Sequence, residues 1–184
     1  DIVTSGVVPG IVVYQLFKLS GNRVNDFDLN LYLNPIFNLD LIFSISPVAF
    51  IAFLITLGSA VRLAKFNTID YTDEFEGLPT PANALFFVSL PILIDHTYLI
   101  DSKEYLLNNY TLITLTISSV ILMNVPFRLF SLRLSLRKYD YNIFKILTIV
   151  LSIPLIVIFG LGGFSLVIIL YLFLNVLRNL WSLI

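Results

Sequence analysis

The 184-residue sequence contains no cysteine and a single histidine, His96. The first absence removes disulfides, thiolate metal sites and cysteine nucleophiles together, and the second removes any multi-histidine metal site. Charge is scarce too: Asp, Glu, Lys and Arg make up 12% of the chain, against about 25% in soluble globular domains. The formal net charge is -1, so there is no basic excess of the kind that tracks a phosphate backbone, which argues against a nucleic-acid partner. Apolar side chains take the place of charge, at 58% of residues and a mean hydropathy of +0.92. Such a composition predicts a membrane protein.

Also lacking are a basic leader segment and a signal-peptide cleavage pattern. Residue 1 is Asp, and an apolar run begins at once. The expectation is a piece of a longer chain, with further helices upstream. No internal repeat, low-complexity tract or second domain is present, so residues 1–184 read as the C-terminal part of a single membrane domain.

The predicted fold is all-α, a polytopic transmembrane helix bundle with about six membrane helices. Residues 1 to about 19 form the first, with Gly6 and Gly10 at the small-xxx-small spacing that admits a close helix partner. Pro9 has no N–H for the carbonyl of Ser5, which leaves that carbonyl open to a partner near Asp1. A polar loop from Ser20 to about Asp40 follows. Residues from about Leu41 to Phe66 form a second helix, roughly 38 Å long at 1.5 Å per residue, with Arg62 and Lys65 in its last turns. A third runs from about Ala82 to Ile94 with Pro91 inside it, and a fourth from about Tyr110 to Val125, stopped by Pro126. The last two, about Ile143–Phe159 and Phe164–Trp181, form a hairpin through Gly160 to Gly163, with Arg178 and Trp181 anchoring its end. His96, at a loop edge, is assigned no role.

Residues 127 to 145 carry Arg128, Arg133, Arg137, Lys138 and Lys145 against Asp140, which reads as a cytoplasmic loop obeying the positive-inside rule. Alternation then places 95–109 and 20–40 outside, and 66–81 and Asp1 inside. Asp1, Arg62, Lys65 and the stiff turn built by Gly77, Pro79 and Pro81 therefore share one membrane boundary. Arg62 and Lys65, three apart on one helix face, are a ready anion site. An ionisable group at such a boundary is a functional hypothesis by default. On these grounds alone, an enzyme joining a water-soluble molecule to a lipid phosphate, a transporter and a lipid-binding scaffold all remain open.

Three segments resemble a known family. Asp1-Ile2-Val3-Thr4-Ser5-Gly6-Val7-Val8-Pro9 looks like the Asp-x-x-Ser-Phe-Gly-x-x-Pro segment of bacterial phosphatidylserine synthases, which are CDP-alcohol phosphatidyltransferases. Val61-Arg62-Leu63-Ala64-Lys65-Phe66-Asn67 resembles their Leu-Arg-Leu-Ala-Arg-Phe-Asn, and Phe75-x-Gly77-Leu78-Pro79-x-Pro81-Ala82 their Phe-x-Gly-Leu-Pro-x-Pro-Ala. The motifs occur in the family's order and cover the chain through about residue 125. The last hairpin adds little to the resemblance. Two departures are Thr4-Ser5 where the family often has Ser-Phe, and Lys65 where it often has Arg, which trades a forked donor for a point charge.

The resemblance implies transfer of the phosphatidyl group from CDP-diacylglycerol to the hydroxyl of L-serine, releasing CMP, at the cytoplasmic face of a bacterial inner membrane. It implies four carboxylates holding two divalent cations, Mg²⁺ or Mn²⁺, of which Asp1 matches the fourth, a metal ligand and general base. The other three are expected upstream of residue 1, so this segment alone is expected to be inactive. Ser5, Arg62, Lys65, Asn67, Gly77, Leu78, Pro79 and Pro81 fall on motif positions expected to bind substrate, with Arg62 the leading anion contact. Glu76 and Asp73 read as solvated loop charges. Membrane lipids and a second copy of the chain, in a homodimer, are the other implied partners. A different alcohol acceptor, or a non-enzymatic transporter or scaffold, are the competing readings.

Overall fold

A chain this apolar satisfies its backbone groups inside helices, and long helices carry the fold. The computed structural model describes residues 1–20, 27–28, 44–45, 47–68, 75–95, 103, 105–126, 128–129 and 142–181. α1 (Val8–Leu19) follows a π-helical turn (Val3–Val7), and α2 (Leu54–Thr68) follows a 3-10 turn (Pro47–Phe53). α3 (Thr80–Asp95) and α4 (Asn109–Asn124) come next, then α5 (Asn142–Phe159) and α6 (Gly163–Trp181), joined by a 3-10 turn (Gly160–Gly162). Two antiparallel ladders of two residues each pair β1 (Phe27–Asp28) with β2 (Ser44–Ile45) and β3 (Phe75–Glu76) with β4 (Arg128–Leu129). Asn108 caps α4, its side chain accepting from the Tyr110 amide at 3.0 Å, and Pro126 follows the helix end.

The contact between α1 and α2 explains the irregular start of the chain. The π turn and Pro9 together disturb the ordinary ladder of helix hydrogen bonds around Ser5 and Gly6. α2 supplies replacements: Ser59 Oγ donates to the Ser5 carbonyl at 3.2 Å and Thr56 Oγ1 to the Gly6 carbonyl at 3.0 Å. The partner expected near Asp1 is thus a hydroxyl on α2. Close approach makes this possible, since a Cβ on Gly10 would lie 2.8 Å from Thr56 Oγ1. The small-residue face that could have served a second chain is occupied within this one.

Residue pairings fix the helix directions. Gly6 faces Ser59 whereas Gly10 faces Ala52 and Thr56, so α1 and α2 are antiparallel. Ser119 bonds Asn83, the Leu78 amide bonds the Leu122 carbonyl, and Ser20 bonds Asn109, which sets α4 against α3 and α1. Ser165 bonds both Ser89 and the Phe86 carbonyl, while Gly162 sits over Leu93, so α6 runs back along α3. A Cβ on Gly163 would lie 2.5 Å from the Leu155 carbonyl oxygen, so α5 and α6 are legs of a hairpin. The six described helices alternate in direction. Buried Val13, Leu16, Phe17, Ile55, Phe87, Leu90 and Leu112 fill the space between the first four.

Among the described residues two helical stretches, not six, are long and apolar enough to cross a membrane. They are Val48–Lys65, of 18 residues, and Ile143–Asn179, of 37 residues, which folds back at the glycine turn. Val3–Leu19 and Thr80–Asp95 are apolar but shorter. α4 spans 16 residues, about 24 Å against a hydrocarbon thickness of about 30 Å, and spends several positions on Asn, Thr and Ser. Lys145, counted with the basic loop yet also within the helix expected from about Ile143, lies in the first turn of α5 and is buried. His96, Arg133, Arg137, Lys138 and Asp140, most of the 20–40 loop and the side chain of Trp181 lie outside the described residues.

Replacing Gly10 by Val should push α1 off α2 and lower stability by about 1–3 kcal/mol. Thermal denaturation in detergent measures this; a melting curve like that of the unaltered protein would contradict the close contact.

Candidate functional site

A helix leaves its last carbonyls without intrahelical partners, and α4 ends one residue past Met123. Those carbonyls organise the candidate site. Arg62, from α2, donates through Nη1 to the Met123 carbonyl and through Nη2 to the Gly77 carbonyl at 3.1 Å. The Leu78 amide donates to the Leu122 carbonyl at 2.9 Å, and the Ile121 carbonyl accepts from Val125. Next to this knot, β3 and β4 place Phe75 opposite Leu129 and Glu76 opposite Arg128. One guanidinium and one amide thus tie the turn before α3 to the C-terminus of α4.

Gly77 belongs here for a steric reason. Its φ is +68°, and a Cβ would come within 2.7 Å of both Arg62 Nη1 and the Met123 carbonyl oxygen. Leu78 is buried against Met123, Thr80 is buried, Pro79 is partly buried and Pro81 is exposed at the start of α3. The stiff turn expected from Gly77, Pro79 and Pro81 is present. Its side chains serve the fold as much as any ligand.

The antiparallel register carries Asp1 to the level of the last turns of α2, so Asp1, Arg62 and Lys65 lie at one end of the bundle. Asp1 is exposed, and its backbone carbonyl accepts from the Ser5 amide at 2.8 Å and Thr4 Oγ1 at 3.3 Å. Ser5 is buried at the α2 contact and Lys65 is exposed. The side chains of Asn67 and Glu76, and all of Asp73, lie outside the described residues. Arg62, expected as the anion contact, spends both terminal nitrogens on backbone carbonyls, and an anion there would have to compete with them.

Sequence reasoning missed the polar groups buried between α2, α3 and α4. Asn83, 1% exposed, accepts from Ser119 Oγ at 2.7 Å, and its Nδ2 has no partner among the described residues. Asn124 Nδ2 donates to the carbonyls of Gly58 (3.2 Å) and Val120 (3.0 Å), and Ser59 Oγ approaches Met123 Sδ at 3.7 Å. Asn83 sits within the Pro-Ala-Asn run that follows the turn motif, which was the available signal. At the opposite end, an open cavity of about 620 Å³ lined by Leu16, Pro91, Ile94 and Leu107 carries the exposed Asp95–Lys103 pair, 3.9 Å apart. No motif residue reaches it.

The described residues contain no group of three acidic, His or Cys side chains placed to hold a metal ion. Asp1 alone is one carboxylate, whereas Mg²⁺ and Mn²⁺ call for several oxygen ligands. These residues do not by themselves fit the divalent cation that the resemblance implies. Compared with protein-family models, with curated proteins and with solved structures, the chain matches none.

Arg62→Lys should lower stability by about 1.5–3 kcal/mol, because an ammonium cannot fork to two carbonyls. Gly77→Ala should act on the same contact, so the double variant should lose less than the summed losses, with a coupling of roughly 0.5–3 kcal/mol. Unfolding free energies of the two single variants and the double variant measure this; strict additivity would contradict the shared clamp.

Proposed function

We propose that the chain is part of a membrane phosphatidyltransferase that moves the phosphatidyl group of CDP-diacylglycerol to the hydroxyl of L-serine. The observation that carries this reading is that the first motif segment, distant in sequence from the other two, meets them at one end of the bundle. A lone coincidence of short motifs would carry little. Motifs that converge in space are a stronger argument.

In this reading Asp1, exposed at the start of its helix, accepts the proton of the serine hydroxyl. The serine oxygen forms a new bond to the phosphorus bearing diacylglycerol, the bond from that phosphorus to the CMP oxygen breaks, and CMP leaves with the electron pair. The proton held by Asp1 then passes to water. Lys65, exposed in the last turns of α2, assists as an anion contact beside Arg62, which also holds the Gly77 turn in shape. The reading needs further carboxylates beyond Asp1 to hold a divalent cation, and no step here is routed through that ion. The apolar faces of α5 and α6, with Val157 77% and Phe173 59% exposed, favour a location in a membrane; the reading puts this end toward the cytoplasm. A homodimer would have to use a surface other than the Gly6–Gly10 face.

The test uses membranes containing the full-length protein, given CDP-diacylglycerol, labelled serine and Mg²⁺ or Mn²⁺, with Asp1→Asn alongside. Phosphatidylserine should form, and the variant should lose about 10²–10⁴-fold in rate. Product with another alcohol but not serine would overturn the acceptor. No product with any alcohol, from folded protein, would overturn the reaction and favour a transporter or scaffold.

A further inference from the structure

At the end of the bundle away from the motif segments, where α1 and α3 stop and α4 begins, lies the open cavity of about 620 Å³. Sites for small molecules run from about 300 to 1,000 Å³ and are mostly apolar, with a few placed polar groups. This cavity has that pattern. Leu16 and Ile94 are its buried part, while Leu19 and Ile92 are exposed beside them. Apolar surface therefore continues from the cavity onto the outside of the bundle. Pro91 and Leu107 complete the apolar lining, and Pro91 offers only a compact ring to it.

Asp95 and Lys103 are the charged residues among the described lining, one of each sign, with Oδ1 and Nζ 3.9 Å apart. That separation is longer than a hydrogen bond, and the side chains are 88% and 51% exposed, so the pair holds itself weakly and stays open to a ligand. Asp95 ends α3, whose last carbonyls favour a cation as well. Lys18, next to Leu19 in sequence, stands over the Tyr14 ring at 5.7 Å from its centroid. An acid beside a base on an apolar cavity complements a ligand that carries both signs close together on an apolar body. An anionic lipid would meet Lys103 but be repelled by Asp95. A carboxylate accepts hydrogen bonds, so an ammonium with N–H groups suits Asp95 better than a quaternary one.

We propose that this cavity takes an acyl chain of a zwitterionic phospholipid with a primary ammonium, of the phosphatidylethanolamine type. Its phosphate lies at Lys103 and its ammonium at Asp95. The site is at the membrane boundary opposite the motif end. This inference rests on the membrane reading of the chain and not on the transfer reaction.

The experiment follows thermal denaturation of the full-length protein in detergent with added phosphatidylethanolamine, phosphatidylcholine, phosphatidylglycerol or glycerophosphoethanolamine, which has the headgroup without acyl chains. Phosphatidylethanolamine should raise the melting midpoint by several degrees, phosphatidylcholine by less, and the other two hardly at all. Asp95→Asn should bring the response to phosphatidylethanolamine down to that of phosphatidylcholine, and Lys103→Gln should shrink both. Leu107→Trp, which fills the cavity, should abolish them. Should that protein fail to fold, the variants at 95 and 103, both exposed positions, still decide the matter. No rise with any lipid, equal rises with phosphatidylethanolamine and phosphatidylglycerol, an equal rise with the chain-free headgroup, or an Asp95→Asn protein that keeps the preference would each overturn the proposal. Neither CDP-diacylglycerol nor serine is present, so the outcome is independent of whether the protein carries out the transfer.

Discussion

One guanidinium holds one end of the bundle together. The carbonyls of Gly77 and Met123 belong to two segments 46 residues apart, a turn and a helix terminus, and both accept from Arg62. A helix C-terminus left unpaired away from water would cost several kilocalories, and a turn at positive φ needs something to hold it. The Arg62 fork answers both needs. Everything placed at that end, the α1 start included, is positioned relative to segments that this contact joins.

A second constraint acts through small residues and hydroxyls. In an apolar surrounding, helices gain little from burying more apolar surface, so association depends on close packing and on a few interhelical hydrogen bonds. The pairs Ser59 with Ser5, Thr56 with Gly6, Ser119 with Asn83 and Ser165 with Ser89 each join two helices. Each is worth about 0.6 kcal/mol on average in a membrane, but each also fixes register. That register makes the six described helices a defined bundle and brings the first motif segment, distant in sequence, to the end that holds the other two.

Much of the architecture was legible in the sequence because apolar runs and their interruptions mark helices strongly. Helix boundaries at Asn109, Asn142 and Gly163 fall within two residues of expectation, and the glycine turn does make a hairpin. The number of full-length spans was over-read: the apolar runs expected over 82–94 and 110–125 are themselves too short for a hydrocarbon core, and α3 and α4 stop at 16 residues. The role of Arg62 was hidden for a different reason. Its partners are backbone carbonyls, which carry no residue-type signature, so a cation near a turn motif looked like an anion contact. Lys145, counted by its charge with the basic loop, also fell inside the helix expected from about Ile143, and it is that helix it belongs to; what the sequence did not show is its burial.

These 184 residues hold no cysteine, which makes the central claim directly testable, since a thiol introduced among them is the sole one in this stretch. The account puts the cationic end, with Lys65 and Arg178, on one side of the membrane, and Lys18 and Lys103 at the other end of the bundle. Single variants K65C, R178C, K18C and K103C in sealed, oriented vesicles can be treated with a membrane-impermeant thiol reagent from either side. The account predicts labelling of positions 65 and 178 from one side and of 18 and 103 from the other. Labelling of positions 65 and 18 from the same side would contradict it.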